Sequence, residues 1–131
     1  GHSKFANIKN LSIRDIINEP FILTEYGQGY RRVFDKELSE VEGVHWTKPN
    51  GGYFICLRTL PGCAKRVVDL CEKAGVKMTE AGATHPYGID PNDNTIRIAP
   101  SFPPVEELRT ATRLLCLCLR IASVEQRLES L

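Results

Sequence analysis

The stretch PPVEELRTATRLLCLCLRIASVEQRL, from Pro103 to Leu128, constrains the fold more than any other. Prolines favour the entry of a helix, Glu106 and Glu107 suit the positive end of its dipole, and apolar residues then recur at helical spacing. A helix this long, with Leu114, Leu115, Leu117, Leu119 and Ile121 in one run, needs other elements to cover it. Arg113 and Arg120 bracket that run, so it reads as core or as an oligomer seam rather than a membrane anchor.

The cover has to come from the residues before it. VHWTKPNGGYFICL reads as strand, tight turn, strand, because Pro49, Asn50, Gly51 and Gly52 supply the fixed and positive φ values that a chain reversal needs. In PGCAKRVVDLCEKAG, residues Cys63, Ala64, Val67, Val68, Leu70, Cys71 and Ala74 form one helical face, with Pro61 near its start and Gly75 at its stop. VKMT and TIRIAP are expected strands. Upstream, FANIKNLSIRDIINEPF suggests a short helix ending near Pro20, and the spacing of Val33, Phe34, Leu38 and Val41 predicts a packing helix from about Tyr30 to Glu42, stopped by Gly43. Alternating elements joined by short turns predict an α/β (α+β) fold, a two-layer sandwich of a small sheet with helices packed on one face.

Length and charge narrow the class. A chain of 131 residues is the size of one ordinary domain and small for an enzyme that must close two lobes around a cofactor. Its 42% apolar and 25% charged content is that of a globular protein. Seventeen basic residues nearly cancel sixteen acidic ones, for a net charge of +1, and no basic run forms a stripe that could track phosphates, so nucleic acid is not an expected partner. No window approaches a membrane span, and the N-terminal residues lack the apolar core of a signal peptide. The five cysteines, at 56, 63, 71, 116 and 118, form no C-x-x-C pair and have no histidine at zinc-ligand spacing. No metal site is expected, and an odd set of thiols mostly in strand or helix positions reads as reduced, buried and cytoplasmic.

Few residues are placed to carry chemistry. Arg97 lies between Ile96 and Ile98, and strand alternation sets its guanidinium on the face opposite theirs. There it offers a rigid fork for a carboxylate or phosphate, the plain alternative being an outward arginine paired with a surface acid. In PNGGYF, Gly51 and Gly52 let a backbone approach a ligand beside Tyr53 or Phe54, although an ordinary hairpin turn would use the same residues. His85 lies in the turn-rich stretch from Glu80 to Asn94, whose length without regular structure suits a functional loop; a solvated histidine is the commoner outcome. Trp46 reads as core or edge packing. No Ser-His-Asp or paired-carboxylate constellation is present.

Taken together, WTKPNGGYFICL, the helix ending EKAGV, the GATHPYG loop, NTIRIAPSFPPVEEL and the final helix resemble the C-terminal small domain of a pyridoxal-phosphate-dependent aminotransferase of class I/II, the aspartate-aminotransferase-like superfamily of fold type I. The order and spacing match over roughly residues 44–131, whereas residues 1–43 form an N-terminal helical segment that matches the family poorly. The resemblance implies that Arg97 grips the substrate's α-carboxylate and that Gly51 and Gly52 belong to a turn on the substrate side of a domain that closes over the ligand. It implies an amino-acid or 2-oxo-acid substrate, pyridoxal phosphate in a homodimeric parent enzyme, and a large domain, with the Schiff-base lysine, that is not among these residues. No covalently bound cofactor and no transamination are therefore expected of this chain alone. The competing expectation is a free-standing α/β module that binds a carboxylate metabolite or a protein partner.

Overall fold

The computed structural model describes residues 26–48, 54–99 and 104–131. The helix expected before Pro20 and the turn carrying Gly51 and Gly52 lie outside the described residues.

Helix α1 spans Tyr26–Leu38. It places Phe34 and Leu38 in the core, and Val41 and Val44 follow in the turns beyond. The expected helix from Tyr30 to Glu42 is thus displaced by a turn towards the N-terminus. Gly27 and Gly29 each cost such a helix about 1 kcal/mol, which burial of its apolar face outweighs. At the other end the Ser39 hydroxyl donates to the Lys36 carbonyl at 2.7 Å, occupying the acceptor that the Glu40 N–H would use to continue the helix. The Glu40 N–H turns to Glu37 instead, and the Val41 N–H to Leu38, both three residues back. Gly43, at φ +77°, then reverses the chain close against Leu60.

Three antiparallel strands follow, β1 (His45–Trp46), β2 (Ile55–Arg58) and β3 (Thr95–Ile98), with β2 in the centre. The register pairs Trp46 with Leu57, Leu57 with Ile96, Ile55 with Ile98 and Cys56 with Arg97. Alternation therefore sends Ile55, Leu57, Ile96 and Ile98 to one face, where all four are buried. Trp46 packs against the same core, and its indole N–H donates to Asp35 at 2.6 Å, tying β1 to α1.

Helix α2 spans Ala64–Lys73 and buries Ala64, Val67 and Cys71. It ends as its sequence predicts, with Gly75 at φ +85°. The Gly75 N–H bonds to the Glu72 carbonyl and the Val76 N–H to the Cys71 carbonyl, the paired bonds of a Schellman stop. VKMT departs from expectation: it joins no strand ladder, and Val76 and Met78 pack against the core from a segment without regular structure. An alternating pattern signals one apolar side, which a covering segment satisfies as well as a strand does.

Helix α3 spans Val105–Glu129, about 37 Å of helix. Leu108, Leu115, Cys116, Cys118, Leu119 and Ala122 are its buried face, packed against α1 and α2. The buried Thr112 hydroxyl donates to the Leu108 carbonyl at 2.7 Å, so it enters the core satisfied. Arg66 on α2 forms a fork with both oxygens of Glu125 on α3, at 2.7 and 2.8 Å, and also reaches Asp69. The result is one α+β layer pair: three helices on one face of a three-stranded sheet, the other face free of helices among the described residues.

Candidate functional site

The helix-free face of the sheet carries Phe54, Cys56 and Arg58 of the central strand and its approach, His45 opposite Arg58, and Arg97 opposite Cys56. Arg97 is half-buried there. Its guanidinium carbon lies 4.8 Å from the centre of the Phe54 ring, a cation–π stack that fixes the plane of the fork. Its Nε is buried and has no hydrogen-bond partner, and among the described residues no carboxylate pairs with the side chain. Phe54 is itself more than half exposed, so the pair forms a positively charged, aromatic-backed patch open on one side.

The loop feeding β3 sets where Arg97 sits. The Asp90 side chain is 4% exposed, and its carboxylate accepts the backbone N–H groups of Asn92 (3.1 Å), Asn94 (2.8 Å) and Thr95 (2.8 Å). Burial alone would raise its pKa, but those three N–H donors outweigh it, with help from nearby His85, and hold the carboxyl below the usual range. The same loop caps α2: the Asp93 carbonyl accepts from the Ala64 N–H at 2.8 Å and its side chain from the Lys65 N–H at 3.1 Å. Gly62 and Thr59 donate to the carbonyls of Asn92 and Asn94. One short segment thus satisfies the orphan amides at the start of a helix and fixes the start of β3, two residues before Arg97.

Gly82 and Gly88 meet inside this loop. Gly82 sits at φ +86°, and any Cβ there would run into the Gly88 carbonyl oxygen. His85, a candidate proton carrier from its position, instead contacts its own loop: Nδ1 lies 3.1 Å from the Thr84 hydroxyl and Nε2 3.7 Å from Asp90. Tyr87 occupies the left-handed region at φ 59° with its side chain fully exposed.

Sequence reasoning singled out Arg97 and missed Asp90 and Asp93. For Asp90 the signal was there in DPNDN, since an aspartate in this spacing bonds its own backbone two residues on; for Asp93, whose partners Ala64 and Lys65 are distant in the chain, there was none. Gly51 and Gly52 fall outside the described residues. All five cysteines are free thiols, and among the described residues no group of three His, Cys, Asp or Glu side chains is placed to hold a metal ion. Among the described residues no helix is long and apolar enough to cross a membrane.

Comparison with known proteins agrees with this fold. The sequence profile of the aspartate amino-transferase family matches residues 20–130. An aspartate aminotransferase of Corynebacterium glutamicum is 43% identical over 93 residues, which cover 71% of this chain and 22% of that relative. The crystal structure of an aspartate transaminase from the same organism superposes with a TM-score of 0.71 at 40% identity, over 77% of this chain and 24% of the other. An α-aminoadipate aminotransferase from Thermus thermophilus, solved with N-(5'-phosphopyridoxyl)-L-leucine, shares the fold at TM-score 0.65 and 21% identity, over 76% of this chain and 25% of its own. The chain therefore spans about a quarter of the length of the relatives it matches. By sequence and fold the chain belongs to the aspartate aminotransferase family, and its span and architecture are those of the family's C-terminal small domain.

Proposed function

We propose that this chain is the part of an aminotransferase that grips the substrate's carboxylate, with Arg97 as the gripping residue. The observation that carries the reading is the state of Arg97: a half-buried guanidinium, stacked on Phe54, whose buried Nε–H has no acceptor. A buried N–H without an acceptor costs about 1–3 kcal/mol. A sheet face that keeps such a group keeps it for an acceptor supplied from outside, and a carboxylate matches the planar fork in geometry and charge. Asp90 holds β3, and the Phe54 ring holds the guanidinium, so the grip is formed before the ligand arrives.

Held at two oxygens, an amino acid or 2-oxo acid has its reacting carbon oriented and its other end directed away from the sheet. Gly51 and Gly52 would let the hairpin backbone approach that ligand from the side, and the domain would close over it. In the parent enzyme pyridoxal phosphate supplies the electron sink for chemistry at that carbon. The residues described here fit the substrate end of such a site: the helix-free face offers a fork and an aromatic wall, and among the described residues no lysine accompanies Arg97 on it. The cofactor, its lysine and its phosphate cup are assigned to the large domain of a cytoplasmic, homodimeric parent, and this chain alone binds carboxylates without transaminating.

The test is a calorimetric or NMR titration of the chain with 2-oxoglutarate as probe. Wild type binds, Arg97→Lys binds at least about tenfold more weakly because one charge-assisted contact is worth roughly 1.5–3 kcal/mol, and Arg58→Ala on the same face leaves binding in place. An Arg97→Ala chain that binds as well as wild type, or a wild type blind to millimolar probe, would remove the carboxylate role.

A further inference from the structure

Cys56 is the one cysteine of the chain that is not buried, and it lies on the helix-free face of the sheet. Its backbone is fixed from the β1 side, where its N–H donates to the Thr47 hydroxyl and its carbonyl accepts the Thr47 N–H, both at 3.0 Å. On the other side its register partner is Arg97. Cross-strand partners hold their Cβ atoms about 5 Å apart, so a nucleophilic sulfur and a guanidinium share one small patch. The guanidinium stacks on Phe54, two residues before Cys56 on the same face, so the arginine stem runs from beside Cys56 to the Phe54 ring.

A thiol by itself would signal nothing. The second observation is the Arg97 Nε, buried and without a hydrogen-bond partner, which needs an acceptor from outside. Nε is the guanidinium nitrogen nearest the strand, so a carboxylate that reaches it comes close to the sheet and to Cys56. The strand positions of this face hold His45, Arg58 and Arg97 and no acid, which favours a dianion over a neutral molecule.

We propose that Cys56 is a modification site for α,β-unsaturated dicarboxylates, which dock one carboxylate on Arg97 and take the Cys56 sulfur at their double bond. The inference rests on the carboxylate role proposed for Arg97 and adds a covalent step beside it. Cys56 releases its proton to solvent and its sulfur bonds to one olefinic carbon. The π pair moves to the neighbouring carbon, which takes up a proton from water. The net change is addition of S–H across C=C, with no oxidant or reductant, and docking supplies the orientation. The thioether keeps both carboxylates, so one stays on Arg97 and the modified chain carries its own occupant in place of substrate.

Fumarate is the probe, read by intact mass and peptide mapping. On the wild type one adduct is expected, at Cys56, at a rate that saturates with fumarate and falls when succinate, the saturated analogue, is added. Arg97→Gln is expected to slow fumarate addition at least about tenfold, the loss of one charge-assisted contact, while iodoacetamide, which has no carboxylate, alkylates Cys56 at an unchanged rate. The modified wild type is expected to bind 2-oxoglutarate at least about tenfold more weakly. A wild type that binds 2-oxoglutarate but gives no Cys56 adduct, or whose reaction with fumarate ignores succinate, overturns this inference and leaves the carboxylate grip standing. A wild type that binds neither 2-oxoglutarate nor succinate removes the grip and this site with it. An Arg97→Gln chain that adds fumarate as fast as wild type overturns the guidance by Arg97. Should that variant fail to fold, which iodoacetamide labelling of all five cysteines would reveal, protection of the wild type by succinate decides alone.

Discussion

Asp90→Asn should loosen the loop that positions Arg97, and its cost follows from the geometry. One carboxylate oxygen accepts the Asn92 N–H and the other accepts those of Asn94 and Thr95, in a side chain 4% exposed. An amide keeps one oxygen and turns an NH₂ towards donors on the other side, so one or two charge-assisted bonds are lost and a buried N–H faces a donor. At roughly 1.5–3 kcal/mol per bond to a charged group, the variant should be less stable by about 3 kcal/mol. For a domain of this size that is roughly 10 °C in Tm. The pH dependence is the sharper part. The folded carboxyl titrates below its unfolded value, near pH 3.9, so its contribution is present above that pH and is lost as pH falls through the lower, folded value. Urea denaturation followed by circular dichroism, for both chains at pH 7 and at steps down to pH 2.5, measures both effects. Wild type and variant should differ at neutral pH, and the gap should narrow as pH falls below the unfolded value and through the lower, folded one. Equal stability at pH 7, or a gap that persists unchanged at pH 2.5, would refute the role given to Asp90.

Other substitutions report on other links. Gly82→Ala meets both the positive φ and the Gly88 carbonyl, and should cost more than about 2 kcal/mol in the urea midpoint, whereas Gly75→Ala, with open space around its Cβ position, should cost only the backbone strain of about 1 kcal/mol. Leu57→Ala, fully buried in the central strand, should cost about 2–5 kcal/mol and shorten protection of the β2 amides in hydrogen exchange. Burial pushes the Cys71 thiol up to about 12 and Cys116 up to about 11, and both stay protonated at pH 8. A thiol reagent at that pH should therefore label the half-buried Cys56 first, and the other four only when the chain is unfolded in urea.

Which parts of this molecule could be read in advance depends on where the information lies. Helix α2 and its Gly75 stop, the hairpin strands around Trp46 and Leu57, the strand holding Arg97 and the long helix α3 are all written in periodicity and in local backbone preferences, which a few neighbouring residues determine. Alternation likewise decided that Arg97 and its flanking isoleucines occupy opposite faces of β3. The failures share a cause. VKMT has a strand's pattern but finds no ladder, α1 runs through two glycines, and the orphan amides of α2 are capped by Asp93 from 28 residues away. Each was settled by a partner distant in the chain, whose hydrogen bonds or buried area outweighed a local preference worth about 1 kcal/mol or less. Helix α3 makes the same point: the pattern left its apolar run as core or an oligomer seam, and only packing against α1 and α2 separated the residues that form the core from Leu117, Ile121, Val124 and Leu128, which solvent still reaches.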